Sequence, residues 1–341
     1  LARRATIHDV AREAEVSIAS ASRALNGSEG VTKETRARVL AAAKRLRYVP
    51  NVGARSLITK RTGMVGVLLP DMYGEFFSEL IRGIDAGARA KGLHLFVSST
   101  HGDANEAAAV IHAMRGRVDG MIVMSPHVDE GFLSEHSNSD FPTVLVNMSG
   151  DAHVPSVKID NRRGAEAMVR HLFACGHRTI ALIKGPKGNI DADERFDGFR
   201  RAMRALKLRP GPILDGDFTE TAGREAGMRL CADGALPDAV FALNDMMAIG
   251  CLGALSAAGI KVPQDVALAG FDDIPIAAYV QPGLTTMRVD IARLGDIAFS
   301  KLALAIAGAV EFSAGETIVP ELVVRGSSHA ESSVRKQGRK S

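Results

Sequence analysis

The residues best suited to chemistry in this 341-residue chain lie near its start, where Thr6, Ser17, Ser20, Ser22 and Arg23 surround the apolar pair Ile18 and Ala19. An arginine can donate two hydrogen bonds to O6 and N7 of guanine, roughly 1–3 kcal/mol of discrimination, and Ile18 or Ala19 can offer apolar contact to a thymine methyl. Hydroxyls suit phosphate oxygens, and Ser17 would also present a helix N-terminus. Far downstream, Arg195 and Asp272 stand at loop positions where a charge needs a partner. Catalytic patterns are missing: there is no G-x-G-x-x-G, no G-x-x-x-x-G-K-[ST], no H-E-x-x-H, and the ten histidines have no ligand spacing. Neither an enzyme nor a cofactor nor a metal site is expected. Cys175, Cys231 and Cys251, odd in number and set in apolar surroundings, read as reduced core thiols.

Short helices must position the N-terminal set. Thr6 with Asp9 can cap the first, whose Ile7, Val10, Ala11 and Ala14 share one face. Glu15-Val16 makes a tight connection to Ser17, the cap of a second helix in which Ala21, Ala24 and Leu25 bury. A third, capped at Thr32, has Val39, Leu40, Ala43 and Leu46 apolar and Lys33, Arg36, Arg38, Lys44, Arg45 and Arg47 basic, and closes a three-helix core. Two helices joined this closely form a DNA-reading motif, the second entering the major groove by its N-terminal part. The charge agrees: residues 1–61 hold 13 Lys and Arg against 5 Asp and Glu, whereas residues 62–330 hold 25 against 33. A basic module on an acidic body suits a polyanionic partner. Pro50 stops the third helix, and Asn51 can cap a short one through Leu57 that Gly53 weakens by ~1 kcal/mol relative to Ala. So short a helix cannot persist alone.

The rest reads as a folded α/β body. Hydrophobic residues make up 46% and charged residues 24%, and no uncharged apolar run reaches membrane-spanning length. No secretory signal is recognisable either, so a cytoplasmic protein without a membrane partner is expected. Strands are predicted at Met64–Leu69, Leu93–Ser98, Gly120–Met124 and Thr143–Val146, with helices at Phe76–Ala90, Asn105–Arg115 and Gly131–His136 between them. A second series follows: helix Arg163–Ala174, strand Ile180–Lys184, helices Arg195–Leu206 and Ala222–Ala232, strand Ala239–Leu243, helix Met246–Ala258 and strand Val266–Gly270. Leu284–Val289 and the helix Ile291–Ala307 then cross back to the first lobe. Two lobes of parallel sheet leave a cleft at the carboxyl ends of their strands, where ligands bind in such folds.

The run T-I-H-D-V-A-R-E-A-E-V-S-I-A-S-A-S-R-A-L-N-G, followed by V-T-K-E-T-R-A-R-V-L-A-A-A-K-R-L-R-Y-V-P-N, closely resembles the headpiece of LacI/GalR bacterial transcription regulators. One departure is Glu15, where many members have Gly or Asn; a positive φ there would cost about 1 kcal/mol. Family-like strings also mark the body: A-C-G-H-R-T-I-A-L-I-K-G-P, E-R-F-D-G-F-R-R-A-M, V-F-A-L-N-D-M-M-A-I-G, and L-A-G-F-D-D-I-P before L-T-T-M-R-V-D. The resemblance implies a helix-turn-helix headpiece over 1–50, a hinge over 51–61 and a periplasmic-binding-protein-like effector and dimerisation domain over 62–330. Its N-lobe would comprise about 62–161 and 290–327 and its C-lobe about 162–289, leaving a disordered basic tail at 331–341. It also implies that Asn51, Ala54 and Leu57 meet DNA when two hinges pair, Leu57 as a minor-groove wedge.

Matched to strand ends and the loops after them, the pocket candidates are Phe76, Phe77, Ser125, Asn147, Asn189, Asp191, Arg195, Phe218, Asn244 and Asp272. Carboxylates, amides and a guanidinium can bond adjacent hydroxyls in pairs, while an aromatic face packs on a sugar ring. A sugar is the first expectation; purine-binding relatives tend to carry Arg near Asn189. The implied protein is a homodimeric regulator, a repressor, of double-stranded operator DNA under a small-molecule effector. A two-lobed sugar receptor without DNA binding and a purine-responsive regulator are the alternatives.

Overall fold

Three short helices form in the first 49 residues because each starts on a side chain that satisfies a free N–H group of its first turn. Thr6 caps α1 (Ile7–Glu13) reciprocally: Asp9 N–H donates to Thr6 Oγ1 at 3.4 Å and Thr6 N–H to Asp9 Oδ2 at 2.9 Å. Ser17 caps α2 (Ile18–Leu25), accepting from Ser20 N–H at 3.1 Å, and Thr32 caps α3 (Lys33–Arg45), accepting from Thr35 N–H at 3.2 Å. Between α1 and α2 the chain reverses through Glu15 at φ 53°, and Val16 N–H donates to Ala11 O at 3.0 Å. The strain that a non-glycine residue bears there, about 1 kcal/mol, is therefore present. Val10, Ala11, Ala14, Ala21, Ala24, Val39, Ala42 and Ala43 are buried together. With six alanines among eight, this core buries little apolar area, as expected near the lower size limit for an independent domain.

The computed structural model describes residues 5–26, 29–49, 61–125, 131–132, 135, 141–148, 154–232, 234, 236–309 and 315–329. The hinge residues Asn51, Ala54 and Leu57, most of the predicted helix Gly131–His136 and the tail 331–341 lie outside them. The chain divides into two units, Leu1–Thr62 and Gly63–Ser341.

The larger unit repeats one sheet design. In the first lobe run β1 (Met64–Leu69), α4 (Glu75–Ala90), β2 (His94–Ser99), α5 (Ala104–Met114), β3 (Met121–Val123), β4 (Thr143–Val146) and β5 (Ser156–Ile159). The second holds α6 (Asn161–Ala174), β6 (Thr179–Ile183), α7 (Ile190–Ala205), β7 (Arg209–Leu214), α8 (Glu220–Ala232), β8 (Ala239–Ala242), α9 (Asp245–Ala257) and β9 (Ala267–Ala269). Then come β10 (Thr286–Arg288), α10 (Ile291–Ile306), β11 (Glu316–Ile318) and β12 (Glu321–Val323). The sheets order as β11-β5-β4-β3-β1-β2 and β7-β6-β8-β9, all parallel, so both place their first strand between the second and third. That reversal of strand order opens a crevice beyond the carboxyl ends. The strand cores are near-continuous apolar runs, buried on both faces as parallel sheets require.

Three features differ from expectation. β7 carries Pro210 and Pro212, which argue against a strand, yet it forms at a sheet edge, where a missing N–H is tolerated. α7 starts at Ile190, before the predicted Arg195, because Asn189 supplies its cap. Residues 290–327 are all expected in the N-lobe; α10 packs on that lobe and β11 pairs with β5, whereas β12 pairs antiparallel with β10, and Leu268 N–H donates to Ser327 O at 2.8 Å, tying the last described strand to the second lobe. The chain therefore crosses between lobes three times, before α6, before α10 and after β11.

Candidate functional site

On α2 the side chains divide by exposure. Ile18 is 45% exposed, and Ser17, Ala19 and Arg23 are also exposed, whereas Thr6, Ser20 and Ser22 are half-buried. The hydroxyls are largely occupied within the unit: Ser17 Oγ lies 2.9 Å from Ser20 Oγ, Asn26 Nδ2 donates to Ser22 Oγ at 3.3 Å, and Thr6 Oγ1 donates to Asp9 Oδ2 at 2.8 Å. What faces outward is thus an apolar pair followed one turn later by a guanidinium, which suits base edges better than phosphates.

The second candidate set gathers around Arg195, one turn into α7. Its Nε donates to Asn161 Oδ1 at 2.8 Å and its Nη1 to Leu243 O at 2.6 Å. Leu243 follows β8 and α7 follows β6, so the guanidinium bridges the point where strand order reverses. Nη2 lies 2.9 Å from Asp272 Oδ1, a close ion pair rather than a well-directed hydrogen bond. The Phe271 ring sits against one face at 3.9 Å and the Phe218 ring lies at 5.8 Å. Arg195 is 3% and Asp272 4% exposed.

Asp191 precedes Arg195 by one turn and is itself 6% exposed. Asn161 Nδ2 donates to its Oδ1 at 2.7 Å, and Asn147 Nδ2, from the loop after β4, approaches its Oδ2 at 3.5 Å across the lobes. Asn147 is held in turn by Ile159 N–H, which donates to its Oδ1 at 3.1 Å. Asn244 caps α9 through Met247 N–H at 3.0 Å and donates from Nδ2 to Phe218 O at 2.9 Å. Burial raises the Asp191 carboxyl above the ordinary range, opposed by Arg195. Burial likewise pushes Asp272 up to about 6 despite Arg195. Asn147, Phe218 and Asp272 adopt positive φ of 53°, 73° and 111°. Strain of about 1–3 kcal/mol each persists where surrounding structure holds it, commonly at ligand sites.

The expected pocket residues thus divide. Asn147, Asp191, Arg195, Phe218, Asn244 and Asp272 form one connected group. Asn189 is the α7 cap, accepting from Ala192 N–H at 3.0 Å, and Ser125 is buried at the end of β3 with its N–H directed at Met148 Sδ at 3.4 Å. Phe76 and Phe77 meet edge to face at 5.5 Å in the first turn of α4 and pack on the body core. Sequence reasoning missed Asn161 and Phe271, which fix Arg195, and Asp245, which is fully buried and accepts from Thr286 Oγ1 at 2.6 Å and Ile274 N–H at 3.0 Å. Burial, with Asp272 nearby, drives the Asp245 carboxyl well above its ordinary value. The sequence signal for two of them was adjacency to a candidate: Phe271 precedes Asp272 and Asp245 follows Asn244.

Residues 6–51 match the family described as bacterial regulatory proteins, lacI family, and residues 169–328 match the periplasmic binding protein-like domain. Catabolite control protein A of Priestia megaterium is 35% identical over 302 residues, covering 87% of this chain and 91% of that protein. The chain belongs to the LacI family. It is thus a DNA-binding transcription regulator and not an enzyme. The HTH-type transcriptional repressor PurR of Haemophilus influenzae is 32% identical over 331 residues, covering 95% of this chain and 98% of its own. Among solved structures, the lac repressor dimer bound to operator and the anti-inducer ONPF superposes with a TM-score of 0.86 at 27% identity, covering 96% of this chain and all of that one. A CelR–cellobiose complex gives 0.69 at 28%, covering 95% and 100%. Among the described residues of this LacI-family chain, no helix is long and apolar enough to cross a membrane.

Proposed function

We propose that this LacI-family chain is a cytoplasmic, homodimeric repressor whose grip on operator DNA is set by a sugar bound between its lobes. The observation that carries the reading is the Arg195–Asp272–Asn161–Asp191 network, buried, strained and touching Asn147 of the other lobe, on the same chain as an outward-facing recognition helix. Amides and carboxylates fixed in this way can each bond neighbouring hydroxyls, while Phe218 supplies an apolar ring face. The cellobiose bound by CelR is in keeping with this chemistry. The likeness to PurR makes a purine the rival effector, against which stands Asn189 at the start of α7.

Two headpieces would read the halves of a roughly palindromic site, the spacing being set by the dimer. Effector binding would alter lobe closure and with it the separation of the two hinges, coupling the sites by about 1–3 kcal/mol. Leu57 is the proposed minor-groove wedge.

The test is selection of binding sequences from a random duplex pool, followed by titration of the selected site with salt and sugars. A steep loss of affinity with salt, and a further change on adding one sugar, is expected. A selected site indifferent to every sugar but responsive to hypoxanthine or guanine would replace the sugar by a purine. Leu57→Ala should weaken operator binding and leave effector binding intact.

A further inference from the structure

The charges around the inter-lobe site are unbalanced. Among the described residues Arg195 faces two acids, Asp191 and Asp272. A guanidinium has five N–H donors. Here Nε and one donor of Nη1 are taken by Asn161 and Leu243 O, Nη2 lies against Asp272, and the Phe271 ring covers one guanidinium face. The remaining N–H of each terminal nitrogen lies beside the Asp272 carboxylate, so an anion seeking the two-point grip by which arginine holds a phosphate or carboxylate meets a like charge there.

Among the described residues, other cations do not make good the deficit. Lys184 pairs with Asp215 at 2.8 Å, Arg162 with Glu194 and Asp197 at 3.1 Å, and Arg288 and Arg325 with Asp273 at 2.7 and 2.6 Å. Lys187, on the loop before α7, is exposed, so solvent and salt screen its charge.

Helix N-termini could also attract an anion, because their N–H groups and dipoles point at the strand ends. In this body those ends already carry acids: Glu75 in the first turn of α4, Asp191 and Asp193 in α7, Glu220 in α8 and Asp245 in α9. Asn189 and Asn244 further occupy one N–H each at α7 and α9.

We propose, resting on the sugar reading above, that this site takes an uncharged polyhydroxyl effector and excludes its phosphorylated or oxidised (carboxylate) forms. The regulator would therefore respond to a free sugar before phosphorylation and fall silent to the phosphorylated product.

The experiment is calorimetric titration of the full chain with matched pairs: glucose and glucose 6-phosphate, ribose and ribose 5-phosphate, cellobiose and its phosphorylated form, glucose and gluconate. The charged member should bind at least about 100-fold more weakly than its parent, since a buried like-charge contact disfavours it. A charged member that binds as tightly as its parent overturns the proposal. In Asp191→Asn, an isosteric change that removes one negative charge, the gap should narrow at least about tenfold by the same repulsion, and an unchanged gap overturns it. If no parent sugar binds, the sugar reading fails separately and inorganic phosphate decides the charge question. Thermal stabilisation no greater than that of chloride at equal ionic strength upholds exclusion. Stabilisation by phosphate that disappears in Arg195→Gln, or in Asn244→Ala should that variant not fold, overturns it.

Discussion

The recognition helix and the inter-lobe site handle their functional side chains in opposite ways. α2 spends its alanines on a small core and leaves Ile18, Ala19 and Arg23 in water, where a partner must supply the contacts. The body hides Arg195 and Asp272, engages Arg195 in advance through Asn161 and Leu243 O, and gives Asp272 the Arg195 charge while leaving its Oδ1 without a hydrogen-bond partner. On the proposed assignment, DNA reading is an outward display on one helix. Effector recognition is then a pre-built polar network shared by several elements, with strain stored in its loops. Substitutions in the first region should change specificity with little loss of fold; those in the second should change both together.

The sharpest test of that contrast is Arg195→Met. It leaves Asp272 buried without its cation and should destabilise the body by about 3–5 kcal/mol, seen as a lower denaturation midpoint and lost effector binding. A midpoint equal to that of the unaltered chain would mean the network is not a structural element. Arg23→Ala should leave the midpoint unchanged and cost about 1–3 kcal/mol of operator affinity, relaxing sequence preference at one position per half-site. A uniform weakening on all sequences would instead mark Arg23 as a phosphate contact.

Acid should act on the body through Asp272. Asp272, raised to about 6 by burial, is ionised at neutral pH, the form that would accept from effector hydroxyls under the proposed reading. Below that value it protonates, so effector affinity should fall by about tenfold per pH unit for one linked proton. Asp272→Asn should flatten this profile; a profile unchanged in that variant assigns the titration elsewhere. In the unliganded protein the same shift has the opposite sign. A folded-state value raised above the unfolded one favours the fold at low pH, and this contribution is lost as pH rises from about 4 to 6.

The smallest effect belongs to the headpiece. Glu15→Gly should relieve the positive φ and raise headpiece stability by about 1 kcal/mol without altering operator choice, which thermal unfolding and a binding titration would check.

Much of this was legible beforehand because local chemistry decided it. Thr6, Ser17 and Thr32 each announce a helix start, and the strands Met64–Leu69 and Thr143–Val146 fall where an apolar run ends at a turn. β7 was hidden by its prolines, which local rules exclude and a sheet edge permits. β12 was hidden because three residues at a chain crossing carry no periodicity, and its place depends on β10 some thirty residues earlier. Among the pocket candidates, Asn147, Asp191, Arg195 and Asp272 converge, while Asn189 is taken as a cap and Phe76 and Phe77 lean on the core.

The amino-acid order by itself determined the helices of the headpiece, the side chains they present and the alternating α/β body, since each follows from spacing within a few residues. Only the tertiary structure decided that Asn161 and Phe271 clamp Arg195 and that Asp245 lies behind Asp272. It also decided that the final strand belongs to the second lobe. Those outcomes join residues tens of positions apart, and the burial that gives their charges unusual energies exists only after the lobes have packed.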